Sequence, residues 1–133
     1  MASKGDHSIL VIEDNERNLK LVRDLLQLRG YRTLEAGTAE RGLSLAAEHR
    51  PGLILMDVQL PDMDGVAALG ILKADPNTTE IPVIALTAYA MKEDRARFLG
   101  AGFDGYLPKP IDVRQFAEQV RDFLASAQRP RRP

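Results

Sequence analysis

Three uninterrupted apolar runs, Ile9-Leu10-Val11-Ile12, Leu53-Ile54-Leu55-Met56 and Val83-Ile84-Ala85-Leu86, set the architecture of this chain. Each is too short for a helix and lacks the alternation of a strand with one wet face. Such runs predict strands covered on both sides, as in a parallel sheet between helical layers. Tyr31 to Ala36 is more mixed and predicts a strand nearer an edge, and Gly105-Tyr106-Leu107 predicts a short fifth strand. Helical patterns fill the intervals. Asn15 to Arg29 carries Leu21, Val22, Leu25 and Leu28 on one side and stops at Gly30. Thr38 offers an N-cap for a helix to about Glu48, ahead of Pro51, and Val66 to Ala74 ends at Asp75-Pro76-Asn77. Met91 to Leu99 closes on Gly100 or Gly102, and Asp112 caps a last helix with Phe116, Val120, Phe123 and Leu124 on its inner stripe.

Strand and helix therefore alternate along the chain. Crossovers long enough for a helix join parallel strands, and they are right-handed. Five strands with helices on both faces predict an α/β fold, a doubly wound parallel sheet in the flavodoxin-like order 2-1-3-4-5. The 133 residues suffice for one domain with a core of its own. The expected organisation is a polar leader over 1–7, a single domain over 8–127 and a basic, proline-interrupted tail over 128–133.

Composition removes several classes of function. The chain has no cysteine, which excludes disulfide scaffolds, thiolate metal sites and cysteine nucleophiles. Its formal net charge is −1, and three arginines belong to the tail, so the body is mildly acidic and no nucleic-acid partner is expected. Trp is absent and aromatics are 5%, a poor basis for stacking bases. No apolar run approaches the roughly 18 residues of a membrane span, and the start carries no signal-peptide core. No membrane contact and a cytoplasmic location are expected.

In the predicted strand order a crevice opens at the carboxyl ends of the first and third strands. The first strand ends in Glu13-Asp14, the third in Asp57, the fourth in Thr87 and the fifth in Lys109-Pro110. Singly, each has an ordinary explanation: Asp14 and Thr87 as caps or turn residues, Lys109 as a surface lysine. Together they place three carboxylates, a hydroxyl and an ammonium on one edge of the sheet. Carboxylates so close repel, so one takes up a proton or a cation holds them. Hard oxygen donors with room for water suit Mg²⁺, which accepts one or two carboxylates and a phosphate oxygen. A bound cation also favours the carboxylate form that a nucleophile needs. An ammonium and a hydroxyl beside it suit the oxygens of a phosphoryl group in transfer.

The segments Ile9-Leu10-Val11-Ile12-Glu13-Asp14-Asn15, Ile54-Leu55-Met56-Asp57-Val58-Gln59-Leu60-Pro61-Asp62-Met63-Asp64-Gly65, Pro82-Val83-Ile84-Ala85-Leu86-Thr87-Ala88 and Gly105-Tyr106-Leu107-Pro108-Lys109-Pro110 resemble, in order, the receiver domain of two-component response regulators. Glu13-Asp14-Asn15-Glu16 and Thr87-Ala88-Tyr89-Ala90-Met91 are most similar to the single-domain DivK type, and also to receivers attached to hybrid histidine kinases. The resemblance implies that Asp57 accepts a phosphoryl group from a phosphohistidine on a histidine kinase or histidine phosphotransferase. It implies Mg²⁺ as cofactor, bound by Asp14 directly, by Glu13 through water, by Asp57 and by the Gln59 backbone carbonyl. Lys109 and Thr87 would contact the phosphoryl group, Tyr106 would change rotamer in response, and the Lys109-Pro110 peptide would be cis. Gln59 and Tyr89 would tune dephosphorylation. The acidic pair is Glu-Asp where many receivers have Asp-Asp, which a longer side chain reaching through water tolerates.

Two other classes fit less well. A dehalogenase-type phosphatase needs an acid two residues past its nucleophile, where this chain has Gln59, and a nucleotide carrier needs a glycine-rich loop where this chain has Glu13-Asp14-Asn15-Glu16. His7 and His49 are expected to be solvated. Within the receiver reading no enzymatic effector fits after the last helix, so no enzyme activity is expected beyond self-phosphorylation and autodephosphorylation. Output is expected through a downstream protein on the face formed by Met91 to Leu99, Gly105 to Leu107 and Asp112 to Leu124, by a monomer or weak dimer. The alternatives are an excised receiver of a hybrid histidine kinase and a phosphate sink without output.

Overall fold

The structure, a computed structural model, describes residues 8–88 and 91–128. The leader, Tyr89 and the arginine-rich tail lie outside the described residues. In chain order the elements are β1 (Ser8–Ile12), α1 (Glu16–Leu28), β2 (Arg32–Ala36), α2 (Ala39–His49), β3 (Leu53–Asp57), α3 (Gly65–Ala74), β4 (Val83–Thr87), α4 (Lys92–Ala101), β5 (Gly105–Pro108) and α5 (Val113–Gln128). The strands form one parallel sheet in the order β2-β1-β3-β4-β5. This is the doubly wound α/β topology that the apolar runs predict.

The three runs are buried throughout, and successive residues serve opposite layers. Leu10, Ile12, Ile54, Met56, Val83 and Ala85 pack with α2, α3 and α4, and Ile9, Val11, Leu53, Leu55, Ile84 and Leu86 pack with α1 and α5. That two-sided burial explains the missing alternation. The edge strand β2 is only partly covered, as its mixed composition requires. Among the described residues, no helix is long and apolar enough to cross a membrane.

Helix boundaries follow local chemistry. The Asn15 side chain accepts from Asn18 N at 3.0 Å, Thr38 from Arg41 N at 3.2 Å, Asp64 from Val66 N at 2.7 Å and Asp112 from Arg114 N at 3.0 Å. Gly102 closes α4 at φ 116, so the stop falls there and not at Gly100. Two positions depart from the expected stripe on α1: Leu28 is 79% exposed, with Leu26 buried instead, and Leu21 is only partly buried and belongs to neither core cluster. The stripe toward the sheet runs through Leu19, Val22 and Leu26, spaced by three and four residues. Leu28 lies two positions beyond Leu26, which turns it off that stripe and into solvent. The inner stripe of α5, Phe116, Val120, Phe123 and Leu124, packs as expected.

Candidate functional site

All parallel strands deliver their last residues to one edge of the sheet. Register places Ile12 beside Met56, Asp57 beside Leu86 and Thr87 beside Pro108. The residues just past β1, at the end of β3 and β4 and just past β5 therefore meet. Glu13, Asp57 and Thr87 are buried, Lys109 is half-buried and Asp14 is exposed. Helix α1 is capped by Asn15, so capping does not occupy Asp14.

Lys109 ties the site together. Its Nζ lies 2.9 Å from Asp57 Oδ2 and 2.8 Å from Glu13 Oε1. The other oxygen of each carboxylate accepts a backbone N–H: Gln59 N donates to Asp57 Oδ1 at 2.9 Å and Asn15 N to Glu13 Oε2 at 3.1 Å. Lys109 is itself positioned by its backbone, which donates to the Thr87 carbonyl at 2.8 Å, and the Lys109–Pro110 peptide is cis. Glu13 N donates to Ala36 O at 2.9 Å, fixing the acidic pair against β2.

Electrostatics shift two of these groups. Burial pushes the Glu13 carboxyl up from its ordinary value, and the nearby Asp57 charge adds to that, against the lowering effects of Lys109 and the Asn15 N–H. For Lys109, burial works to lower the pKa, but the close negative charges of Glu13 and Asp57 outweigh it and the ammonium is held above its usual range.

One oxygen from each of Glu13, Asp14 and Asp57 can lie within 4.8 Å of the others. Three carboxylates facing one ammonium leave uncompensated negative charge. Glu13 Oε1 is fully buried and accepts no hydrogen bond; its contact with Lys109 Nζ is an ion contact outside hydrogen-bond geometry. An all-oxygen donor set with surplus negative charge and an under-satisfied buried oxygen fits a hard divalent cation, Mg²⁺ before any softer metal.

The loop after β3 is closed at its stem. Gln59 pairs with Asp64 in an antiparallel bridge, and Gly65 N donates to Val58 O at 2.9 Å. A side chain at Gly65 would meet Val58 Cα at 2.5 Å, so α3 begins against the backbone beside Asp57 only because residue 65 is glycine. Tyr106 on β5 is partly buried, with the Arg95 guanidinium of α4 over its ring at 5.4 Å from the centroid.

Glu13, Asp14, Asp57 and Lys109 are thus brought together, Gln59 follows Asp57 in the same loop, and Thr87 joins them through its carbonyl. Tyr106 lies one strand away, on β5 opposite Ala85 of β4. Tyr89 lies outside the described residues. A residue that sequence reasoning passes over is Asp62. Its carboxylate accepts from Ala39 N at 2.8 Å and Glu40 N at 3.0 Å, holding its own pKa below the usual carboxylate range. Its partners are more than 20 residues away, and Pro61-Asp62-Met63-Asp64 reads locally as a turn.

Comparison with known proteins agrees with this geometry. A family model described as "response regulator receiver domain" matches residues 9–121. The polar-differentiation response regulator DivK of Brucella anthropi is 46% identical over 120 residues, covering 90% of this chain and 98% of that protein. DivK of Brucella ovis is 45% identical over the same length and coverage. Among solved structures, the receiver domain of a Syntrophus aciditrophicus signal transduction histidine kinase is 31% identical with a TM-score of 0.82, covering 96% of each chain. The receiver domain of a Pseudomonas aeruginosa sensor histidine kinase, solved with a magnesium ion in its active-site cleft, is 33% identical. It superposes with a TM-score of 0.81 over 90% of this chain and 98% of that one.

Proposed function

Because the chain belongs to the response regulator receiver domain family, we propose that Asp57 accepts a phosphoryl group from a phosphohistidine on a histidine kinase or histidine phosphotransferase. The observation that carries this reading is the double contact of Lys109 with Asp57 and Glu13 at the mouth of a central strand, beside Asp14. In the transfer the P–N bond to the imidazole breaks, a P–O bond to Asp57 forms, and the imidazole leaves and takes up a proton.

Asp14, Glu13, Asp57 and the Gln59 carbonyl are the groups that would hold Mg²⁺. When bound, the cation supplies charge stabilisation for the transferring oxygens and offsets the carboxylate repulsion. Gln59 N and Lys109 Nζ fix the two oxygens of Asp57. Lys109 provides a positive charge that passes from the carboxylate to a phosphoryl oxygen. The Thr87 hydroxyl donates to another oxygen, and Tyr106 rearranges on the α4 side in response. Output follows through a downstream protein on the α4, β5 and α5 face, in a cytoplasmic monomer or weak dimer.

Gln59 and Tyr89 occupy the positions that govern hydrolysis in receivers, and both are large enough to hinder an attacking water. The chain's own chemistry is limited to this acquisition and loss of phosphate. Phosphotransfer from a phosphorylated histidine phosphotransferase tests the reading: Asp57→Asn and excess chelator each abolish it. Transfer persisting under either condition would refute it.

A further inference from the structure

We infer that Asp62 is a positioning residue, a clasp that holds the loop after Asp57 in the geometry in which the Gln59 carbonyl meets the cation; this rests on the phosphoacceptor reading and deepens it. Residues 58–64 form a unit closed at its stem by the Gln59–Asp64 bridge and the Gly65 N to Val58 O bond. The stem closure fixes the loop to itself, and Val58 N, which donates to Leu86 O at 3.2 Å, ties its base to β4. Leu60 and Met63 pack into the core below, which seats the loop without orienting its peptide planes.

Beyond that base, Asp62 gives the loop an oriented contact with α2. A helix begins with N–H groups that lack intrahelical partners. In α2, Thr38 satisfies Arg41 N through its side chain and Gly42 N through its carbonyl. The remaining first-turn groups, Ala39 N and Glu40 N, are satisfied by the two oxygens of the Asp62 carboxylate. These are charge-assisted bonds at the positive end of a helix, and they depress the Asp62 pKa accordingly. The helix they reach is anchored in turn. It follows β2, whose last residue Ala36 accepts from Glu13 N at 2.9 Å. One frame of backbone bonds therefore sets both the loop that carries Gln59 and the segment that carries Glu13 and Asp14.

Three variants separate a clasp from a simple helix cap: Asp62→Ala, Asp62→Asn and Thr38→Ala. The probes are Mn²⁺, whose free fraction is read by electron paramagnetic resonance, and hydrogen exchange at the Gln59 and Gly65 amides of the metal-free protein. Asp62→Ala should weaken Mn²⁺ binding about tenfold, the low end of what losing an outer partner of a metal site costs. It should also speed exchange at both amides. Asp62→Asn keeps one carbonyl acceptor and should fall between Ala and wild type. Thr38→Ala removes a cap from the same turn without touching the loop and should bind Mn²⁺ as wild type does. Wild-type affinity in Asp62→Ala, or an equal loss in Thr38→Ala, would overturn the clasp. Absence of Mn²⁺ binding by the wild type would overturn the phosphoacceptor reading itself, and the clasp's role with it.

Discussion

Replacing Lys109 with Met removes the ammonium that lies 2.8 Å from Glu13 Oε1 and 2.9 Å from Asp57 Oδ2. What remains is two buried carboxylates in an acidic cluster whose oxygens lie within 4.8 Å of one another. At an effective dielectric of about 20, two unit charges at that distance repel by roughly 3.5 kcal/mol. Removing one partner of a buried ion pair costs about 3–5 kcal/mol by the same logic. Glu13 can relieve part of the repulsion by taking up a proton, since burial already raises its pKa above that of an ordinary glutamate. A loss of about 3 kcal/mol at neutral pH follows, which lowers the urea midpoint by about 1.5 M for a domain of this size. The sign of the pH dependence is set by Glu13. An acid whose folded pKa is raised destabilises the fold as pH climbs past its unfolded value, and without Lys109 that pKa rises further. The gap between variant and wild type should therefore be wide at neutral pH and narrow near pH 4.5. Millimolar Mg²⁺ should raise the variant's midpoint more than the wild type's, because a cation replaces part of the lost charge. Urea unfolding followed by circular dichroism at the two pH values, with and without Mg²⁺, measures all of this. Equal midpoints at neutral pH, or a deficit unchanged by pH, would refute the electrostatic account.

Asp14→Ala should abolish stabilisation by Mg²⁺ while leaving the metal-free protein at least as stable as wild type, since it relieves carboxylate repulsion; paired thermal melts check both. Gly65→Ala should cost about 2 kcal/mol by overpacking, because the new Cβ meets the Val58 backbone and not a movable side chain, and it should weaken Mg²⁺ binding as well. Beryllofluoride should move the fluorotyrosine NMR signal of Tyr106 in the wild type and not in Thr87→Ala; the same shift in both would remove Thr87 from the relay. Smaller residues at Gln59 and Tyr89 should speed loss of phosphate from the labelled protein, and an unchanged decay rate would count against their role.

The architecture was readable because parallel strands buried on both faces leave apolar runs without alternation, too short for helices and bounded by turn residues. Ile9–Ile12, Leu53–Met56 and Val83–Leu86 are buried without exception, so four residues sufficed to place each central strand. The convergence of Glu13, Asp14, Asp57, Thr87 and Lys109 was readable one step later, as a consequence of strand order. Three things were not. Leu28 on α1 sits among several leucines, and apolarity alone does not say which of them face the sheet when residues advance about 100° each. The bond from Asp62 to the N-terminus of α2 joins residues over 20 positions apart through backbone N–H groups, which carry no residue identity. Likewise the pairing of Lys109 with Glu13 as well as Asp57 depends on distances that strand order implies only coarsely.

The most direct test of the central claim is to locate the phosphoryl group. The protein is incubated with acetyl phosphate and Mg²⁺, reduced with borohydride to trap the acyl phosphate, digested and mapped by mass spectrometry. The proposed phosphoacceptor role predicts a single modified residue, Asp57, with labelling lost in Asp57→Asn and in excess chelator. Modification at Asp14 or Glu13, or full labelling of Asp57→Asn, would contradict it.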